Sequence, residues 1–171
     1  MKNLFKVFLL TGLIFSLSFA GIRMGQQAPD FKLPDLFTGK TYTMNDFKGK
    51  IVLLNLWASW CTGCQAEMPE FYKLQKEYEG KDFIIVAISV DNNKEKAIKF
   101  LKHIEEKTGI KTPFVVLYDK DKKVAKVYRP RGMPSSYLID KNGKLIKIFI
   151  GSFTEENINY LKNEINKALG E

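Results

Sequence analysis

Two apolar runs with almost no polar interruption dominate the middle of the chain, residues 51–57 and 83–90. Runs of this length, separated by a helical pattern, predict strands covered on both faces in a parallel sheet. Between them Met68, Phe71, Tyr72, Leu74 and Tyr78 recur at helical spacing, so residues 65–78 predict an amphipathic helix. Pro69 falls inside it and deprives the Gln65 carbonyl of its donor, which predicts a kink just past the first turn. Residues 94–107 form a second helical pattern. Ala97, Leu101 and Ile104 share one face, and Lys96, Lys99, His103 and Lys107 share another. His103 therefore reads as a solvated surface residue, not a base. Residues 114–118 are a third apolar strand, followed by a polar stretch and a short helix or turn through Tyr128.

The ends of the pattern differ from its middle. Residues 31–34 and 41–44, joined by a turn at 37–40, predict an N-terminal β-hairpin. Near the other end, residues 136–140 and 145–150 flank Lys141-Asn142-Gly143. Asn-Gly between two β-like runs is a strong hairpin signal, because both residues tolerate positive φ. A last helix is predicted over 154–169, with Thr154 as cap, Glu155 and Glu156 favouring its N-terminus, and Ile158, Leu161, Ile165 and Leu169 as its buried stripe. The order is hairpin, βαβαβ, β-hairpin, helix. A parallel half joined to an antiparallel half, with helices on both faces, predicts one α/β sandwich.

The chain has 171 residues. Its first twenty carry Lys2 and Lys6, an apolar stretch from Val7 to Phe19, and a small-x-small pattern at Ser18-Phe19-Ala20. That is the layout of a signal peptide, with an uncleaved membrane anchor as the alternative. Either reading places the folded part, residues 21–171, outside the cytoplasm as one domain of ordinary size. The formal charge of +8 falls by two, to +6, if Lys2 and Lys6 leave with the signal. The lysines are dispersed among glutamates, with no basic block interleaved with aromatics. Nucleic-acid binding is a poor reading, and only weak attraction to an anionic membrane surface is expected.

The candidate chemistry lies where the first apolar run meets the first helix, at Trp60-Cys61-Thr62-Gly63-Cys64, which holds the only two cysteines. A first thiol at a helix N-terminus meets free backbone N–H groups and the positive end of the dipole, which favour a thiolate. Cys61 is thus the candidate nucleophile. Cys64, one turn further in, is placed to attack a mixed disulfide and release the partner. A purely structural disulfide across so short a loop restricts the unfolded chain little. A zinc site lacks ligands, since His103 is distant, and a c-type haem site lacks its histidine, since Gln65 follows Cys64.

With these elements in place, the pattern resembles the thioredoxin fold, a central mixed sheet with helices on both faces and an N-terminal β-hairpin. More narrowly it resembles extracytoplasmic thiol-disulfide oxidoreductases of the TlpA/ResA type, a group related to the AhpC/TSA redoxins. The matching pieces are Gln27-Ala-Pro-Asp-Phe31, Lys48-Gly-Lys50, Leu54-Asn-Leu-Trp-Ala-Ser-Trp-Cys61, Cys64-Gln-Ala-Glu-Met-Pro69, Gly132-Met-Pro134 and Tyr137-Leu-Ile-Asp-Lys-Asn-Gly143. The resemblance implies Cys61 as attacking thiol and Cys64 as resolving thiol. It implies Pro134 as a cis-proline facing the disulfide, Met133 as backbone partner for a substrate strand, and Trp57 and Trp60 flanking the thiol. A buried aspartate of cytoplasmic thioredoxins is replaced here by Asn55, which cannot titrate. Glu67, three residues beyond Cys64, matches a glutamate of the TlpA/ResA group and is expected to assist proton transfer at Cys64; the alternative is a solvated first-turn carboxylate. Gly63 replaces a helix-start proline, which is expected to loosen the turn.

The implied activity is reduction of protein disulfides in the periplasm or on the outer face of the cell membrane. Apocytochrome c is one implied substrate class and a membrane thiol-electron transporter the implied electron donor. The redox-active Cys61–Cys64 pair would need no metal, flavin or nucleotide. Three alternatives remain at this point: an oxidising or isomerising disulfide exchange protein, a peroxiredoxin-like peroxidase, and a binding module with a structural disulfide. The peroxidase reading lacks the Pro-x-x-x-Thr-x-x-Cys arrangement upstream of Cys61.

Overall fold

The computed structural model describes residues 22–171, so the targeting segment expected over 1–20 lies outside the described residues. The architecture is the thioredoxin-like α/β fold. A small antiparallel pair, β1 (Lys32–Pro34) and β2 (Thr41–Thr43), leads into a 3-10 turn, Met44–Phe47. There the Asp46 carboxylate accepts from the Thr43 N–H and hydroxyl at 2.7 and 2.8 Å, a cap that hydrophobic patterning does not reveal. The main elements follow as β3 (Ile51–Trp57), α1 (Thr62–Glu77), β4 (Phe83–Ser89), α2 (Lys94–Thr108), β5 (Val115–Tyr118), α3 (Lys123–Tyr128), β6 (Ser135–Ile139), β7 (Leu145–Ile150) and α4 (Ile158–Leu169).

The five-stranded sheet has the order β5-β4-β3-β6-β7, parallel across β3, β4 and β5 and antiparallel from β3 through β6 to β7. β3 is central and all seven of its residues are buried. Because side chains alternate along a strand, the run fills two cores. Ile51, Leu53 and Trp57 pack against α1, α2 and α4 through Met68, Phe71, Leu101, Leu161 and Ile165. Val52, Leu54 and Leu56 pack on the other side with Val124 and Tyr128 of α3 and with Leu33 and Phe47 of the N-terminal arm. By the same alternation Asn55 belongs to the α1 side.

The N-terminal arm also covers backbone at both sheet edges. Gln27 bridges to Lys144 beside β7, and Asp35 bridges to Leu117 of β5. Pairing an edge removes a template for unwanted strand addition.

Three local expectations need correction. α1 begins at Thr62, three residues early, because Cys61 itself is the N-cap, and the helix runs on through Pro69 to Glu77. In the β6–β7 turn only Gly143 takes positive φ, at 81°. Asp140 organises that turn, its Oδ1 accepting from the N–H groups of Asn142 and Lys144. α4 begins at Ile158, not Thr154. Thr154 instead donates its N–H to Asn157 Oδ1 at 2.7 Å, making a turn before the helix.

Candidate active site

The first cysteine sits where the chain leaves the carboxyl end of β3, and its backbone is extended, with φ −87° and ψ 114°. That conformation makes Cys61 the N-cap of α1. Its Sγ accepts from the Cys64 N–H at 3.2 Å, and its carbonyl accepts from Gln65 N at 3.0 Å. A sulfur in this place receives a backbone donor and the helix dipole together, so negative charge on it is stabilised. Cys61 and Cys64 form a disulfide with Cα atoms 5.2 Å apart. Cys61 keeps a narrow opening to solvent, 6% exposed, while Cys64 is sealed at 0%. Attack from outside can therefore reach only the first sulfur.

Behind the disulfide lies a dry polar cluster. Glu67, one turn along α1 from Cys64, is completely buried, so the solvated alternative is excluded. Its Oε1 accepts from Asn55 Nδ2 at 2.9 Å and its Oε2 from the Phe153 N–H at 3.2 Å. Asn55 Nδ2 also donates to Ser136 Oγ on β6 at 3.0 Å, while Asn55 Oδ1 is buried with no partner among the described residues. Burial pushes the Glu67 carboxyl up to about 8, against the two hydrogen bonds that favour its ionised form. Glu67 is thus a titratable group in this cluster, beside Asn55 and Ser136, whose side chains do not ionise. Asn55 orients it without competing for the proton.

The segment before β6 meets the start of α1. The Met133–Pro134 peptide bond is cis, and the Pro134 carbonyl accepts from Gly151 N at 3.0 Å. A Cβ on Gly63 would lie 2.9 Å from Pro134 Cδ and 3.6 Å from Ser152 Cβ. Gly63 is therefore the residue that lets the start of α1 and the cis-proline segment meet, rather than a loose point in the turn. The two tryptophans separate. Trp60 is 64% exposed beside Cys61. Trp57 is wholly inside the core, its ring 5.5 Å from that of Phe100, with Nε1 unpartnered among the described residues. Met133 is half-buried, and His103 is exposed on α2, as its helical spacing predicts.

Sequence reasoning missed the group that holds the loop before Cys61. Asp91, just past β4, is buried, and its carboxylate accepts from Ser59 N, Ser59 Oγ and Ser89 Oγ at 2.9, 2.7 and 2.9 Å. Gln65 Nε2 closes the loop from the helix side by donating to the Ser59 carbonyl at 2.8 Å. A signal was present: an acidic residue directly after an apolar parallel strand lies at the carboxyl edge of the sheet, where α/β proteins build their sites.

The AhpC/TSA family profile matches residues 24–148, most of the chain. The chain belongs to the AhpC/TSA family. Within this family it is similar to the thiol-disulfide oxidoreductase ResA of Geobacillus thermodenitrificans, with 37% identity over 137 residues, covering 80% of this chain and 75% of that protein. It is similar too to the thioredoxin-like protein YneN of Bacillus subtilis, at 38% identity over 138 residues, covering 81% and 78% respectively. Among solved structures, one provisionally named as a thiol:disulfide interchange protein DsbE from Chlorobium tepidum superposes with a TM-score of 0.78 at 34% identity, covering 88% of this chain and 100% of that one. With its cysteine pair bonded at a helix N-terminus, this AhpC/TSA member is a thiol-disulfide oxidoreductase of the ResA/DsbE type.

Proposed function

We propose that the protein reduces disulfides of other proteins outside the cytoplasm. The observation that carries this reading is the asymmetry of the two sulfurs: Cys61 is open and capped by a backbone N–H, and Cys64 is sealed beside a buried, titratable Glu67. In the reduced protein the Cys61 thiolate attacks a substrate disulfide. A Cys61–substrate bond forms, the substrate S–S bond breaks, and one substrate thiolate leaves. Cys64 then gives up its proton to the Glu67 carboxylate and attacks the Cys61 sulfur. The intramolecular disulfide forms and the second substrate thiolate departs. Two electrons pass to the substrate, and a dithiol donor restores the pair by the same exchange in reverse.

The other assignments belong to the same reading. Met133 offers backbone pairing to an extended substrate strand, Pro134 faces the sulfurs and donates no N–H of its own, and Trp60 supplies an exposed aromatic contact. The sulfur pair is the only redox centre the cycle requires. Apocytochrome c is one substrate class, and a membrane thiol-electron transporter is the donor. The apolar stretch at 7–19 supports delivery across a membrane by a signal peptide or an anchor.

The test is the reduction potential of the Cys61–Cys64 couple, measured by equilibration against defined thiol buffers. A value near that of thioredoxin, roughly −270 mV, supports a reductase. A value near that of DsbA, roughly −120 mV, overturns the direction of electron flow and makes the protein an oxidase.

A further inference from the structure

A recess of about 380 Å³ opens one residue beyond the cis-proline, where Ser135 forms part of its wall. Its accessible apolar surface comes from Ile22, Ile148 and Ile150 over the buried Tyr128 and Tyr137, and Arg129 and Arg131 line it as well. The two tyrosines are buried, at 0% and 1% exposed, with their hydroxyls turned to backbone carbonyls. They pack edge to face with centroids 5.0 Å apart, Tyr128 OH donates to the Pro29 carbonyl at 2.7 Å, and Tyr137 OH donates to the Tyr128 carbonyl at 3.2 Å. Ile150 lies on the edge strand β7 and is 57% exposed, a large apolar side chain left in water beside the catalytic segment. No carboxylate lines the recess among the described residues, and Arg131 is exposed there with no hydrogen bond or ion pair to another described residue.

These features select an occupant. An apolar surface takes an aliphatic or aromatic side chain, and the Arg131 guanidinium takes a carboxylate by paired N–H donors. The recess adjoins the cis-proline segment, since Ser135 follows Pro134 and a Cβ on Gly132 would lie 3.5 Å from Ile150 Cγ2, so a strand lying across the cis-proline would pass beside it. We propose that this recess is a specificity subsite for a substrate segment with an acidic residue beside an apolar one, a few residues from its reactive cysteine. The inference rests on the reading that protein disulfides are the substrates.

The experiment uses the full chain, reduced beforehand, in single turnover against two synthetic peptides. Each contains one intramolecular disulfide, and they differ only in having Asp-Ile or Lys-Ile beside the attacked cysteine. A small neutral disulfide, bis(2-hydroxyethyl) disulfide, is run in parallel with the unaltered protein. The acidic peptide is expected to react about fivefold faster than the basic one, as a rim charge pair allows. The ratio should shrink towards one as salt is raised to about 1 M. Arg131→Glu should invert the ratio, a result that misfolding cannot produce, since a damaged fold lowers both rates together. Equal rates for the two peptides, or an unchanged ratio in Arg131→Glu, would overturn the subsite. A sedimentation change in Arg131→Glu would assign the recess to a second copy of the chain and also overturn it. If the small disulfide reacts and neither peptide does, the reading of protein substrates fails and the subsite fails with it.

Discussion

The two sides of the disulfide are built from opposite materials. Behind Cys64 the site is buried: Asn55 donates to both Glu67 and Ser136, and burial raises the Glu67 carboxyl to about 8. On the other side Trp60 stands exposed next to Cys61 in the chain, and past the cis-proline Ile150 and Arg131 are exposed at a recess. On the proposed reading, the difference separates two tasks. Proton handling needs low dielectric, where a carboxyl pKa can be moved by several units. Partner recognition needs surface that can be covered and uncovered, where charge pairs are weak and adjustable.

The largest test of this contrast is removal of the sealed sulfur. Cys64→Ser should lose all turnover and accumulate a Cys61–substrate mixed disulfide, visible by mass spectrometry without reductant, whereas Cys61→Ser should form no adduct. An adduct on Cys64 would mean that the rear sulfur is the accessible one.

Next in size is the pH dependence set by Glu67. The unfolded chain releases this proton near pH 4.5, and the folded chain holds it until about pH 8. The folded state therefore binds more protons across that window, so stability falls as pH rises through it and levels off above it. The group accounts for a loss of up to about 5 kcal/mol between its two pKa values. Glu67→Gln should flatten that slope in denaturant titrations at pH 5 and pH 9, and should remove the rise in rate of the second exchange step as pH passes about 8, where the carboxylate ionises. A slope unchanged by the substitution would show that the rear cluster does not titrate in this range.

Asp91 supports the front from inside. Asp91→Ala leaves Ser59 N, Ser59 Oγ and Ser89 Oγ without their acceptor. It should destabilise the protein by about 2–3 kcal/mol, with Asp91→Asn losing less, as read by urea unfolding. The smaller effect is expected at Gly63. An added methyl group meets the Pro134 ring, so Gly63→Ala should cost about 1–2 kcal/mol and reduce exchange with protein disulfides more than with small ones. Equal reduction for both would place the damage in the sulfurs and not in the substrate face.

Much of this was written in the chain's periodicity. Residues 51–57 could only be a strand covered on both faces, because seven successive buried positions at period two must serve two cores. The helical stripes of α1, α2 and α4 were equally legible, as was the C-x-x-C at a strand-to-helix junction. Legibility ended where a residue's role depends on something distant in sequence. The position of Asp91 after β4 marks it for the carboxyl edge of the sheet, but nothing in the sequence names Ser59, thirty-two residues earlier, as its partner. Thr154 looked like a cap because its local chemistry suits one, but the neighbouring Asn157 side chain takes its N–H and delays the helix.

The same division explains the site. The sequence by itself pointed to the sulfur pair and placed the first sulfur at a helix N-terminus, because strand, turn and helix are local patterns. Only the tertiary structure decided that Glu67 is dry. Its burial depends on the backbone at Phe153, eighty-six residues away, closing over it, and on Asn55 arriving from β3. Only the tertiary structure turned Gly63 from a weak helix start into the contact point for Pro134, because proximity between distant segments follows from how the sheet and helices pack and not from either segment alone.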